Sequence, residues 1–230
     1  VEVTADAVVR TIAASESPWE TDYRLPPLRI MEFLLDGASP NPNHGGVVQL
    51  AIRIEGEERV LNGDDPAEFL QTVDVLLQRH DPDILLTDWG DSYILPRLLR
   101  MSAQMRMPLK LNRDPAHAIG ARAPRSYVSY GRVLAHAGER TLYGRLHLDR
   151  RNSFALSETG LAGLFEQSRV TKVPIQQMAR TTTGTGITSM QLEQAHRAGI
   201  LIPYRKQQVE EFKTGVEFLE TDQGGLTYAP

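Results

Sequence analysis

From Leu28 to Asp36 the pattern fits a strand, with Leu28, Ile30, Glu32, Leu34 and Asp36 on one face. A period of two is the mark of a β-strand. The Pro-, Asn- and Gly-rich segment Gly37 to Gly46 should turn, and Val47 to Ile54 with Glu57 to Leu61 predict a hairpin about Glu55-Gly56. Asp64-Asp65 ahead of Pro66 marks a helix start, because a carboxylate accepts the free N–H groups of a first turn and proline has none to leave unpaired. Phe69, Val73, Leu76 and Leu77 then recur at helical spacing, so this amphipathic helix should end near His80. Ile84 to Leu86 reads as a buried strand, followed by a polar turn and an apolar helix beginning near Tyr93.

The flanking regions carry weaker patterns. Residues 1 to 27 form a lead, helical over Ala5 to Ala14 and broken by Ser17-Pro18 and Pro26-Pro27. Past the central helix comes a loop-rich stretch marked by Pro108, Pro115 and Pro124. A second hairpin is expected across Tyr127 to Leu148, turning near Ala137-Gly138. From Ser157 onward the chain reads as helical, best at Gly163 to Val170 and Ser189 to Ala198, and the last stretch as a strand or linker running into Gly224-Gly225. The order of elements predicts an α/β fold, a mixed sheet flanked by helices with a helical C-terminal extension.

Composition narrows the class. A chain of 230 residues buries one core, or one core with an appended subdomain. Apolar content of 41% and charged content of 23% are ordinary for a globular protein, and no apolar run reaches the ~18 to 20 residues that cross a bilayer. The absence of cysteine excludes disulfides and thiolate metal sites and suits a cytoplasmic protein. The N-terminus, Val-Glu-Val-Thr-Ala-Asp, lacks a signal-peptide pattern and a starting Met, as a piece of a longer chain would. Net charge is −4, but Arg97 to Arg151 holds twelve Lys plus Arg against three acids, Asp114, Glu139 and Asp149. Such a basic stretch could follow a phosphate backbone by releasing its counterions, or it could be a solvated surface.

The segment Asp81-Pro82-Asp83-Ile84-Leu85-Leu86-Thr87-Asp88-Trp89-Gly90-Asp91-Ser92-Tyr93-Ile94-Leu95-Pro96-Arg97-Leu98-Leu99 resembles the second exonuclease motif of family B DNA polymerases. There, Asp-Pro-Asp-hydrophobic leads to Tyr-Asn-x-x-x-Phe-Asp-x-Pro-x-Leu. In register, Trp89 stands at the family's Asn, Tyr93 at its Phe and Ile94 at its metal-binding Asp. Leu28 to Asp36 is similar to the first exonuclease motif, Phe-Asp-Ile-Glu: Phe33 matches, Leu34 replaces the Asp and Asp36 stands in for the Glu. Tyr143-Gly144-Arg145-Leu146-His147-Leu148-Asp149 resembles the family's Gly-Arg-hydrophobic-x-hydrophobic-Asp strand. No Tyr-x-x-x-Asp of the third motif occurs between Phe154 and Thr171. Lys172-Val173-Pro174, Arg180, Gly184-Thr185-Gly186, Ser189-Met190-Gln191 and Ala198 to Pro203 are similar to the join between exonuclease and palm domains. They most resemble a divergent archaeal and bacterial branch with degenerate motifs. Gly224 to Pro230 resembles the stretch just ahead of the first palm motif.

The resemblance implies an RNase H-like, exonuclease-like domain over 28–170, after a lead at 1–27 and ahead of a helical linker at 171–230 leading toward a palm domain. It implies a 3'-5' exonuclease that has lost its metal-binding residues. Such a domain would act as scaffold and nucleic-acid surface in DNA replication or repair. Its partners would be the DNA primer-template and the palm, fingers and thumb domains, at the nucleoid in the cytoplasm and without a membrane. Mg2+ serves the intact family, whereas for this chain no cofactor or metal is expected. Candidate phosphate contacts, chosen by charge and location, are Arg122, Arg125, Arg150, Arg151, Lys172 and Arg180.

The residues themselves point the same way. Two-metal phosphodiester cleavage needs several carboxylates converging on ions ~3.5 to 4 Å apart, and Asp36 is the one acid left at a matching position. Mg2+ dehydrates reluctantly and prefers several anionic ligands. Glu32 shares a strand face with Asp36 but lies ~13 Å along it. Asp36 with Asp91 is the pair that could rebuild a nuclease centre, and the competing reading has Asp88 and Asp91 capping the helix from Ser92. The six histidines show no zinc spacing, and His147 should pack on a strand or face solvent. Thr181 to Gly186 reads as a turn before the next helix, since it lacks the Gly-Lys-Ser/Thr ending of a phosphate loop. Trp89 could stack a displaced base or fill the volume of the lost metal site. A third role is protein docking without DNA.

Overall fold

The structure, a computed structural model, describes residues 2–3, 9–11, 13, 17, 19–37, 41–44, 48–129, 132–202 and 214–217. The chain divides into two units, Val1–Gln191 and Leu192–Pro230.

Within the first unit, β1 (Glu2–Val3) pairs antiparallel with β2 (Val9–Thr11). Part of the expected helix at 5–14 is therefore strand, as its β-branched Val9 and Thr11 favour; 5–8, 12 and 14 lie outside the described residues. The main elements follow: β3 (Ile30–Gly37), β4 (Val48–Ile54), β5 (Glu57–Leu61), α1 (Pro66–His80) and β6 (Ile84–Thr87). A π-helical turn (Gly90–Ile94) leads into α2 (Leu95–Met105). Asp65 caps α1 by accepting the N–H groups of Ala67 and Glu68, and Pro66 opens the helix as expected.

The expected second hairpin is differently built. β7 (Gly120–Arg122) pairs with β10 (Glu139–Thr141), and inside that pair β8 (Arg125–Ser129) pairs with β9 (Arg132–His136). The register Ser129↔Arg132 joins β8 to β9 ahead of Ala137-Gly138, which instead connects β9 to β10. β11 (Leu146–Asp149) leaves this arm and joins the main sheet, parallel to β6.

That sheet has the order β11-β6-β3-β4-β5, parallel from β11 to β3 and antiparallel from β3 to β5. Strand alternation divides its side chains between two cores. Met31, Phe33, Leu85 and Ile52 pack with Phe69, Val73 and Leu77 of α1 and Leu95 and Leu98 of α2. Ile84, Leu86 and Leu148 face the other way, toward Ala155, Leu156 and Leu164 of α3 (Phe154–Thr171) and Ile175 and Met178 of α4 (Ile175–Met178). Helices thus cover both faces of the parallel part, which is the usual way to bury such strands.

α3 begins at Phe154, with Ser153 accepting the Leu156 N–H, and kinks at Gly160, whose φ of +66° only glycine adopts readily. In α5 (Thr183–Arg197) the first turn includes Gly184 to Gly186, expected as a turn before the helix. Gly186 is buried there against Thr171, and Ser189 Oγ donates to Thr171 O. The division drawn at 170 from sequence consequently falls inside the first unit.

In the second unit, α5 ends in a Schellman motif: Gly199 N–H donates to His196 O and Ile200 N–H to Ala195 O, with Gly199 at φ +69°. Thr214 and Glu217 cap one another reciprocally. The expected strand or linker ending at Gly224-Gly225 lies outside the described residues.

Candidate functional site

The parallel strands β3, β6 and β11 bring their carboxyl ends side by side, the place where open α/β sheets form crevices. Asp149 closes β11. Its Oδ1 accepts the N–H groups of Trp89 and Arg151, both at 3.0 Å, and its Oδ2 accepts that of Asp91 at 2.8 Å. The turn after β6 is therefore capped from another strand. Asp88 and Asp91, expected to cap it locally, do other things, because Trp89 takes a left-handed conformation (φ +66°) that redirects the chain.

Asp91 is enclosed. Its Oδ1 accepts the Arg140 N–H at 2.6 Å, its Oδ2 accepts Asn152 Nδ2 at 2.8 Å, and the Arg180 guanidinium reaches both oxygens at 3.2 and 3.3 Å. Arg180 also donates to the carbonyls of Arg140, Gln176 and His147. A buried ion pair so completely hydrogen-bonded satisfies what burial of charge demands. His147 lies beside it, fully buried rather than at the surface. Its Nδ1 meets Arg140 O at 2.7 Å, and its Nε2 faces Thr87 Oγ1 at 3.0 Å. The first contact is met by an Nδ1–H, and Thr87 Oγ1, which also reaches Leu148 O at 3.3 Å, can serve Nε2 as donor or acceptor. Burial, above all, lowers the His147 pKa to about 4, with Asp91 opposing and Arg180 reinforcing the shift. Burial likewise pushes the Asp149 carboxyl up to about 6, against the N–H groups it accepts.

The degenerate motif residues do not converge. Leu34 and Asp36 share the β3 face of Glu32, whereas Ile94 is 3% exposed in the opposite core with Met31 and Phe33. Asp36 is exposed, and Asp91 is engaged with His147, which strand alternation places with Leu85 on the Ile94 side. Asp36 and Asp91 therefore serve different faces of the sheet. Among the described residues no group of three or more His, Asp or Glu could hold a metal ion. The residues present do not fit a two-ion centre of the kind the family resemblance implies.

Arginines are the charges that gather instead. Arg150 bridges Glu32 and Asp88, and Arg151 reaches Asp88 at 3.5 Å. Two adjoining grooves run here. One, of about 440 Å3, is lined by Arg150, Arg151, Phe154 and Arg180; the other, of about 520 Å3, by Arg122, Arg125, Tyr143 and Arg180. They share Glu139, Arg180 and Thr181. Five of the six candidate phosphate contacts therefore line one track, with a single acid, Glu139. Arg180 is a correction within that set: its side chain is 6% exposed and its charge is taken up by Asp91. Lys172 lies elsewhere, donating to Glu20 O and placed 6.0 Å over the Tyr23 ring.

Sequence reasoning missed three residues of this region. Gln176 closes the β11 edge: its Oε1 accepts the His147 N–H at 2.8 Å and its Nε2 donates to Leu142 O at 3.1 Å. Gly90 lets the turn approach, since a Cβ there would lie 1.9 Å from Thr87 Oγ1. His147 was read apart from its partners. The alternation of β11, which puts His147 and Asp149 on one face, was the available signal.

No family model matches the chain, and no curated protein matches it. Among solved structures, the chain is similar to the family B DNA polymerase from the hyperthermophilic archaeon Pyrobaculum calidifontis, with a TM-score of 0.54 and 20% sequence identity. The match covers 81% of this chain and 31% of that one, so the chain spans about a third of the length of that polymerase. The likeness is one of fold: a family B polymerase-like α/β arrangement around a five-stranded mixed sheet. Among the described residues no helix is long and apolar enough to cross a membrane.

Proposed function

We propose that this chain is the exonuclease-like portion of a family B DNA polymerase relative, with an RNase H-like core and an inactive nuclease position. It serves as a scaffold beside palm, fingers and thumb domains and offers a nucleic-acid-binding surface to the primer-template, in replication or repair. One observation carries this reading: arginines chosen by charge and location along the sequence line two adjoining grooves, while the neighbouring acids are already engaged by guanidinium or N–H groups. A polyanion gains there by counterion release, and a divalent ion finds no free set of carboxylates. The polymerase-like fold supports the assignment to that family, and the degenerate exonuclease motifs at Leu34 and Ile94 support the loss of activity.

The test is to incubate the chain with end-labelled single-stranded and primer-template DNA in Mg2+ or Mn2+, and in parallel to measure DNA binding across a salt series. Intact DNA together with salt-sensitive binding is expected. Mn2+-dependent cleavage that disappears in Asp36→Ala would instead establish a rebuilt nuclease. Absence of binding even at low salt would leave a protein-docking module.

A further inference from the structure

β10 is hydrogen-bonded along both edges, but β7 along one. The Arg140 N–H goes to Asp91 and the Arg140 carbonyl accepts from Arg180, while Gly138 O accepts from Asn152 and Leu142 O from Gln176. Gly138, Arg140 and Leu142 thus turn their backbone groups toward these side chains, which leaves Glu139 and Thr141 to bond with β7. Glu139 lies opposite Arg122 and Thr141 opposite Gly120, so the N–H and C=O of Ala121 between them point away from β10. Ala121 is exposed, and among the described residues no further strand pairs with β7. An open edge of this kind is a template for another chain.

The ribbon face that carries Arg122, Glu139, Gly120 and Thr141 forms a wall of the 520 Å3 groove, which Arg125 and Tyr143 also line. Arg122 is 76% exposed and meets Glu139 at 3.7 Å, and Arg125 has no carboxylate partner among the described residues. With Arg180 taken up by Asp91, the groove keeps two guanidinium groups against one carboxylate. Gly120 puts no side chain over Tyr143, whose hydroxyl a Cβ there would approach to 3.3 Å.

We propose that β7 takes up an extended acidic segment of a partner protein as an added antiparallel strand. The partner residue opposite Ala121 exchanges both backbone hydrogen bonds with it. The residue before it, opposite Arg122, is Asp or Glu and meets Arg122 and Arg125. The residue after it, opposite Gly120, is large and lies beside Tyr143, because directly opposed residues share a face. The surface therefore reads an acid and a large residue two positions apart. This inference goes beyond the nucleic-acid reading and uses a different feature of the chain. A polynucleotide meets the arginines equally well, but it has no amide donor and acceptor at strand spacing to offer Ala121.

The experiment is fluorescence anisotropy with the labelled peptide Ser-Thr-Glu-Val-Tyr-Thr-Ser, whose valine is the residue set opposite Ala121, and with oligothymidylate measured in parallel. N-methylation of that valine removes its donor to Ala121 O and should weaken binding roughly tenfold. Replacing the peptide's Glu by Lys should weaken it as well. Ala121→Pro removes the outward N–H, a change that strand edges tolerate where the N–H faces solvent. This variant should lose peptide affinity roughly tenfold while its Tm and its affinity for oligothymidylate stay as in the wild type. Hydrogen exchange at the wild-type Ala121 amide should slow when the peptide is added, a readout that needs no variant. No peptide binding at millimolar concentration, equal binding of the N-methylated form, or unchanged exchange at Ala121 would each overturn the proposal. Equal losses of peptide and oligothymidylate in a folded Ala121→Pro protein would give the edge to nucleic acid and overturn it too. Oligothymidylate binding without peptide binding removes this inference and spares the broader reading; peptide binding without any DNA binding does the reverse.

Discussion

The Asp91 carboxylate, with no exposed side-chain surface, meets the Arg180 guanidinium at 3.2 Å across 89 residues of sequence. This pair ties the turn after β6 to the second residue beyond α4, and Arg180 extends the tie to the backbone of β10 and β11. Removing one member strands the other's charge. Arg180→Met should therefore destabilise the chain by about 3 to 5 kcal/mol, while Asp91→Leu combined with Arg180→Met should cost clearly less than the two single changes together. Urea denaturation of the three variants measures both quantities. Additive losses would mean that the pair is not the coupled unit described.

His147 and Asp149 titrate in opposition. Asp149, raised to about 6, stays protonated in the fold over a range where the unfolded chain has released its proton, so its contribution is full below the ordinary carboxylate range and is lost as pH rises through 6. His147, lowered to about 4, is neutral in the fold where the unfolded side chain is charged, so its contribution grows as pH rises from 4 toward 6.5. Between pH 4 and 6 the two slopes nearly cancel, as though one proton had moved from imidazole to carboxyl. Each alone is worth about 3 kcal/mol over its window. From these two groups the wild type gains little slope, whereas Asp149→Asn should add a rise in stability with pH across 4 to 6.5. Unfolding free energies at half-unit pH intervals check this; equal slopes in the two proteins would refute it.

Gln176 acts as a short substitute strand along β11. Truncation leaves the buried His147 N–H without its acceptor, and an unmet buried donor costs about 1 to 3 kcal/mol. Gln176→Ala should lose that much stability and speed hydrogen exchange at the His147 amide specifically. Gln176→Glu keeps the acceptor and should protect that amide better than Ala does. Unchanged exchange at His147 in the Ala variant would show that the edge is covered by something else.

The local elements were legible because each carries its own period: the alternation of β3, the hairpin about Glu55-Gly56, and the cap and stripe of α1 all fell close to where expected. The arm from β7 to β10 was not. Gly120-Ala121-Arg122 has no alternation to read, and its partner lies beyond an intervening hairpin. The arginine track was half legible. Its charge excess stood out in the sequence, but nothing local could say that Arg180 turns inward to Asp91 while Lys172 lies elsewhere. The polar cluster of Thr87, Asp91, His147, Asp149 and Arg180 was hidden for the same reason, since parallel pairing of β6 with β11 brings together residues some 60 positions apart.

Gly90 is where that cluster is most tightly drawn. An added Cβ would come within 1.9 Å of Thr87 Oγ1 and 2.5 Å of His147 Nε2, the two atoms that hydrogen-bond to each other at 3.0 Å. Neither is the end of a long flexible chain, so Gly90→Ala must part the pair or shift the π-helical turn. Overpacking of this kind costs about 1 to 3 kcal/mol. A displaced His147 ring regains water, and its pKa should climb from about 4 toward the ordinary histidine range. NMR titration of the His147 ring, alongside thermal denaturation, reads both effects in one variant. A stable Gly90→Ala protein whose His147 still titrates near 4 would mean that the turn yields freely and that Gly90 is not what lets Thr87 and His147 meet.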